Sequence, residues 1–206
     1  MTTTTFMDHD IQEVSNAQKA RILRDALPYI REYYGKVVVV KYGGNAMVNE
    51  ELRKAVLADI VLLHLIGVKV VLVHGGGPHI KDMLNQVGLE SKFLNGLRVT
   101  DEATMKIVQM VLAGQVNKDL VNLLGSLGGK AIGLCGIDDD MIQVKKQSDE
   151  LGLVGEITHI NPELIHDSLA NGYIPVISSI GTDGKGVSYN INADTAAAEI
   201  AGALQA

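Results

Sequence analysis

Uninterrupted β-branched runs alternate along the chain with segments whose apolar residues recur at helical spacing. Residues 36–41 and 68–74 read as strands, because a run that is apolar at nearly every position is buried on both faces of a parallel sheet. Between them, residues 49–66 carry an amphipathic helix stopped by Gly67, so the three make a first βαβ unit. A second helix over 78–87 ends at Gly88. Residues 91–99 alternate around Asn95-Gly96, the strongest short hairpin signal. Helices are predicted over 100–113, opened by a cap and early acids at Thr100-Asp101-Glu102, and over 115–127, closed by Gly128-Gly129. Core strands follow at 130–134 and 173–180, with an edge hairpin at 141–146 and 153–160 and a short helix at 161–171. A tight glycine-rich loop at 181–186 and the stretch 187–191 lead into an alanine-rich helix that starts at Asn192.

These elements predict an α/β protein: a three-layer α/β/α sandwich with a mainly parallel central sheet, plus an N-terminal helix and small β-hairpins. Residues 1–10 are expected to be disordered, and 11–34 to form an amphipathic helix kinked at Pro28. A helix ahead of the first strand has no place in a βαβ repeat. It either packs on its own domain or serves as an arm between subunits, so the expected division is 1–34 and 35–206. The last helix has no strand after it, which reads as the first part of a longer protein.

The chemistry is concentrated where strands give way to glycine. Residues 70–78 read VVLVHGGGP and residues 37–45 read VVVVKYGGN. A turn without β-carbons lets the backbone approach an anion and aim N–H groups at it, and a following helix N-terminus adds partial positive charge. Both turns fall at the carboxyl edge of the sheet, where open α/β folds bind ligands. Gly43, Gly44, Gly76 and Gly77 are therefore candidate phosphate or carboxylate binders. Lys41 ends a core strand, and a buried amine needs a carboxylate or a ligand beside it. Asp194, at the start of a helix after a strand, reaches the same edge; its alternative role is a first-turn acid. Asn190 and Asn192 are either donors to a ligand or helix caps. Arg98 on the hairpin is either solvated or folded over the turns.

Composition narrows the partners. A net charge of −6, with no dense Lys/Arg cluster, disfavours nucleic acid. No apolar run approaches the ~20 residues of a membrane span and no signal segment opens the chain, so a cytoplasmic protein is expected. The single cysteine, Cys135, lies in an apolar run and reads as a buried structural thiol. No metal site is predicted: Asp138-Asp139-Asp140 reads as a turn, and His159 and His166 as surface residues. The dinucleotide fingerprint G-x-G-x-x-G is absent from both glycine turns.

Four ordered motifs, KYGGNAM at 41–47, VHGGGP at 73–78, NGLRVTDEATM at 95–105 and SYNINADTAAAEIA at 188–201, resemble the amino acid kinase family. Within it they are most similar to the branch that acts on N-acetyl-L-glutamate, over roughly residues 20–206. The resemblance implies transfer of the γ-phosphoryl group of ATP to the substrate's side-chain carboxylate, the second step of arginine synthesis, with Mg2+ held mainly by the phosphates. It implies that Lys41 stabilises the transferring phosphoryl group and that Asp194 orients Lys41. Gly43, Gly44 and Gly76 would bind phosphoryl and acyl oxygens, Gly76 and Gly77 would line the acetylglutamate site, Arg98 would hold the α-carboxylate and Asn190 would touch the substrate.

In the family a later segment supplies most of the ATP site, so the resemblance implies that residues 35–206 form the acetylglutamate domain and alone turn over little. It also implies a homodimer, with hexamers through the N-terminal helix and inhibition by L-arginine, and leaves a P-II partner open. Competing readings are a non-catalytic amino-acid-binding module and the aspartate, glutamate 5-, carbamate and uridylate kinases, which share the glycine turns.

Overall fold

The computed structural model describes residues 14–206, so the first part of the expected N-terminal segment lies outside the described residues. The described residues up to Tyr34 form one compact unit, and Gly35–Ala206 another.

The first unit is α1 (Asn16–Tyr33), which continues through Pro28. Its start is fixed by a reciprocal cap: the Ser15 hydroxyl accepts from the Gln18 N–H, and the Gln18 side chain accepts from the Ser15 N–H. α1 buries none of its residues.

The second unit opens with β1 (Val37–Tyr42), a four-residue helix α2 (Asn45–Val48), α3 (Glu50–Leu65) and β2 (Lys69–His74). Then come α4 (Gly77–Gln86) and the hairpin β3 (Phe93–Leu94) and β4 (Leu97–Arg98). Asn95 and Gly96 at its tip both have positive φ, 51° and 82°, the two-residue turn that their sequence favours. α5 (Glu102–Gln109) and α6 (Asn117–Ser126) follow, then β5 (Ala131–Cys135), β6 (Ile142–Lys146), β7 (Gly155–Ile160) and α7 (Glu163–Ala170). β8 (Ile174–Ser178), β9 (Ile180–Thr182), β10 (Ser188–Asn190) and α8 (Ala193–Leu204) complete it.

The central sheet is parallel, in the order β1-β2-β8-β5. Alternate residues of β2 serve opposite layers. Val70 and Leu72 pack with α3, α4, α5 and α6, through Leu57, Leu84, Val108 and Leu124 among others. Val71 and Val73 face α7 and α8, through Ile165, Leu169, Ala196 and Ile200. β2 is buried from Val70 to His74, as its pattern predicts. β1 is only half-buried over Val37–Val40, because it is an edge strand.

Three predicted boundaries are corrected. The helices expected at 100–113 and 115–127 are joined: residues 110–116 form a π-helical stretch that carries the backbone through Gly114 from α5 into α6. An interior glycine costs only about 1 kcal/mol, which packing of Val111, Leu112 and Val116 offsets. The strand expected at 173–180 divides at Ser179 into β8 and β9, which lie in different sheets. The loop expected at 181–186 therefore starts within β9. The second sheet has the order β10-β9-β6-β7, antiparallel except where Gln143 meets Thr182.

Cys135 is buried, and burial raises its thiol pKa. The Asp138 carboxylate accepts the Cys135 N–H at 2.7 Å and the Asp139 carbonyl accepts from the Asn161 side chain at 3.1 Å, so the acidic triplet shapes a turn. His159 and His166 are exposed.

Leu72 is fully buried at the centre of this arrangement. Leu72→Ala is expected to lower unfolding stability by about 2–5 kcal/mol in denaturant titrations, through lost transfer energy and the cavity left behind.

Candidate functional site

Parallel pairing sets Lys41 beside Val73 and Tyr42 beside His74, so both glycine turns leave the sheet at one level. They meet around a cavity of about 280 Å³. Lys41, Gly43, Gly44, Gly76, Gly77, Arg98, Asn190 and Asp194 all line it, so the structure brings every sequence-predicted site residue into one pocket. Lys41 is less enclosed than a core-strand lysine was expected to be, with 34% of its side chain exposed. Its amine lies 3.1 Å from Asp194 Oδ1, and a β-carbon at Gly43 would come within 2.9 Å of Nζ. The first glycine turn therefore makes room for the lysine as well as for a ligand.

Gly44 has a φ of 62°, a conformation that other residues adopt at a cost. Gly76 is extended, and its constraint is space: a β-carbon there would lie 2.5 Å from Leu112 Cδ2. It caps α4 without a side-chain acceptor, so the first turn of α4 offers backbone donors and partial positive charge to the cavity. At α8 the Asn192 side chain accepts from the N–H groups of Asp194 and Thr195, at 2.9 and 3.1 Å. The cap role left open for Asn192 is the one it fills.

Arg98 is 7% exposed although it sits on a two-residue strand. Its guanidinium donates to the Ser91 hydroxyl and, at 3.1 Å, to the Gly77 carbonyl, and lies 4.7 Å from the centre of the Phe93 ring. Burial lowers its pKa from the ordinary arginine value. No carboxylate pairs with it among the described residues. The buried Thr100 hydroxyl donates to the Arg98 carbonyl at 2.8 Å and accepts from the Asn190 amide at 3.2 Å, tying both candidate binding residues together.

Chemically, the arrangement suits an anion: a guanidinium without a carboxylate among the described residues, an amine beside Asp194 and two turns of bare backbone. The model of the amino acid kinase family matches residues 36–206.

The chain belongs to the amino acid kinase family.

Acetylglutamate kinase of Brachyspira hyodysenteriae is 54% identical over 198 residues, 95% of this chain and 69% of that protein. That of Clostridium kluyveri is 57% identical over 189 residues, 91% of this chain and 67% of that protein. Among solved structures, the smu.665 protein of Streptococcus mutans superposes with a TM-score of 0.76 at 34% identity, covering 82% of this chain and 69% of that one. N-acetylglutamate synthase from Neisseria gonorrhoeae, complexed with coenzyme A and N-acetyl-glutamate, shares the fold with a TM-score of 0.75. Its identity is 24%, over 91% of this chain and 43% of that one.

Within this amino acid kinase domain, the structure adds lining residues that sequence reasoning missed. Leu112 comes from the π-helical stretch and Ser179 from the junction between the two sheets. Neither carries a sequence signal, since one reads as helix core and the other as strand. Phe93 could have been found, because it shares a face of the predicted hairpin with Arg98.

Behind the second glycine turn, His74 is fully buried. Burial lowers its pKa to about 4, with smaller contributions from the Gly75 carbonyl, which opposes the shift, and from His79 and Lys118, which reinforce it. The folded state thus resists a proton that the unfolded chain accepts near the ordinary value of about 6.5. Stability is complete above that value and declines as pH falls towards about 4, by about 3 kcal/mol in total from this group. Unfolding titrations across this window should show that much more acid sensitivity in the native chain than in His74→Asn.

Proposed function

We propose that this chain forms the acetylglutamate site of an acetylglutamate kinase, which uses ATP to phosphorylate the side-chain carboxylate of N-acetyl-L-glutamate. The observation that carries the reading is Arg98: a buried guanidinium without a carboxylate partner among the described residues, facing a cavity rimmed by Lys41 and two glycine turns. A cation held in this way is matched to the carboxylate of an incoming molecule, with charge-assisted hydrogen bonds. The relatives at 54–57% identity supply the substrate's name.

Arg98 holds the α-carboxylate and Asn190 the remaining polar end of the substrate. Backbone N–H groups at Gly44, Gly76 and Gly77 receive acyl and phosphoryl oxygens, with Gly43 leaving space for the lysine amine. A side-chain carboxylate oxygen attacks the γ-phosphorus, the bond from that phosphorus to the bridging oxygen breaks, and ADP departs with the electron pair. No proton has to move. Alignment and charge stabilisation therefore supply nearly all of the catalysis. Lys41 places positive charge beside the transferring group, and Asp194, 3.1 Å away, holds the lysine in position. The nucleotide's phosphates would carry magnesium with them, which would supply neutralisation of their charge. No group of three metal-ligating side chains occurs among the described residues.

Calorimetry of the chain should show N-acetyl-L-glutamate binding at least about 10-fold more tightly than glutamate or aspartate. Arg98→Ala should weaken that binding by about 10- to 100-fold, since a hydrogen bond to a charged group contributes about 1.5–3 kcal/mol. Equal affinities for the three acids, or an unchanged Arg98→Ala variant, would overturn the reading.

α1 serves as an oligomerisation arm. Ile22, Leu23, Leu27 and Tyr29 are 50–67% exposed, a concentration of apolar side chains on one helix that suits burial against other copies. Deleting residues 1–34 should shift the protein to a smaller assembly in sedimentation velocity. An unchanged distribution would return α1 to a purely local role. No helix among the described residues is long and apolar enough to cross a membrane.

A further inference from the structure

The chemistry above leaves His74 unused, although it is the residue from which the second glycine turn departs. Its Nδ1 lies 2.9 Å from the Gly75 carbonyl oxygen, and its Nε2 lies 3.1 Å from the side-chain nitrogen of Asn117. A carbonyl on one side and an amide N–H on the other fit one neutral form of the ring: Nδ1–H donates to Gly75, and Nε2 accepts from Asn117.

Asn117 is itself immobilised. It is 1% exposed, and the two hydrogens of its side-chain nitrogen are shared among three acceptors, His74 Nε2, the Val176 carbonyl at 2.8 Å and the Leu134 carbonyl at 3.1 Å. Its oxygen accepts from Lys118 Nζ at 3.0 Å. Strands β8 and β5 therefore fix Asn117, and Asn117 fixes the tautomer of His74.

The Gly75 carbonyl and the Gly76 N–H belong to the same peptide unit, which is planar and trans, so they point in opposite directions. Between glycines nothing in the side chains prevents that unit from turning over. The Gly75 N–H is held by the Tyr42 carbonyl at 3.3 Å, but this bond constrains the preceding peptide and leaves the next one free. The Gly76 N–H has no protein acceptor among the described residues, and Gly76 lines the cavity.

We propose that His74 is a positioning residue: its Nδ1–H, set by Asn117, clamps the Gly75 carbonyl and so aims the Gly76 N–H at the anion bound in the cavity. The proposal rests on the reading of that cavity as an acidic-substrate site. It assigns a role to a motif histidine that contacts no reacting atom, and to an asparagine 43 residues away in sequence.

Two variants separate the clamp from packing. In His74→Asn the side-chain nitrogen can take the place of Nδ1 and donate to Gly75; in His74→Gln the nitrogen takes the place of Nε2 and leaves Gly75 without its donor. By calorimetry, His74→Gln should bind N-acetyl-L-glutamate about 10-fold or more weakly, whereas His74→Asn stays within about 3-fold of the native chain. Equal binding in the two variants, whether retained or lost together, would overturn the proposal. Nitrogen-15 spectra of the ligand-free chain test it independently of any substrate: the imidazole should be protonated at Nδ1, and the Gly76 amide resonance should move in His74→Gln but return towards its native position in His74→Asn. Protonation at Nε2, or a Gly76 resonance indifferent to both changes, would also overturn it. Failure of the native chain to bind acetylglutamate would instead refute the substrate assignment and leave the spectroscopic result standing.

Discussion

The site depends on the parallel ladder between β1 and β2. Because Lys41 is paired with Val73 and Tyr42 with His74, a lysine and two side-chain-free turns leave the sheet side by side. A slip of one residue would turn Lys41 to the other face and bury its charge among apolar side chains. The ladder is held by burial. Val70 and Leu72 are locked into one helical layer, Val71 and Val73 into the other, and neither set could exchange faces without exposing its partners. The register that makes the core is thus the register that makes the pocket.

Around this fixed edge, the remaining parts arrive from distant stretches and are joined by polar contacts. The hairpin brings Arg98 over Gly77, Thr100 links that arginine's backbone to Asn190, and α8 brings Asp194 to Lys41. Exposed ion pairs contribute little to stability, and Asp194 is 72% exposed, so its pairing with Lys41 matters for orientation more than for folding. Arg98 is the opposite case. Among the described residues it is buried with only neutral partners, which is unfavourable for the isolated chain and suits it to receive an anion. A local cation of this kind is what lets a chain of net charge −6 offer a site suited to an acidic metabolite.

The π-helical stretch connects core and site. It presses Leu112 against Gly76 from the helical side, and directly beyond it Asn117 reaches His74. Leu112 leaves no room for a β-carbon at Gly76, while Asn117 governs the ring behind Gly75. One segment thereby shapes both the path and the orientation of the second glycine turn. Wide helical turns of this kind are frequent at functional sites.

The strands, the glycine turns and the Asn95-Gly96 hairpin were legible in the sequence, because each rests on a local rule: burial on both faces, absence of a β-carbon, or a turn needing positive φ at two residues. Lys41 and the four glycines could be gathered on paper for the same reason, since consecutive parallel strands deliver their carboxyl ends to one edge, whereas the roles of Arg98 and Asn190 were named through the family resemblance, and the hairpin and the second sheet bring these two to that edge. Other features were decided by contacts between segments far apart in the chain. The run 173–180 is uniformly suited to strand, yet only pairing with β5 and β2 on one side and β10 on the other divides it at Ser179. α2 is too short to have a period. Gly114 signals a break that buried neighbours on both sides overrule. The tautomer of His74 and the clearance at Gly76 depend on Asn117 of α6 and Leu112 of the π-helical stretch packing against the turn. Local stereochemistry therefore determined which residues could bind an anion, and long-range packing determined how closely, and in which direction, their donors are held.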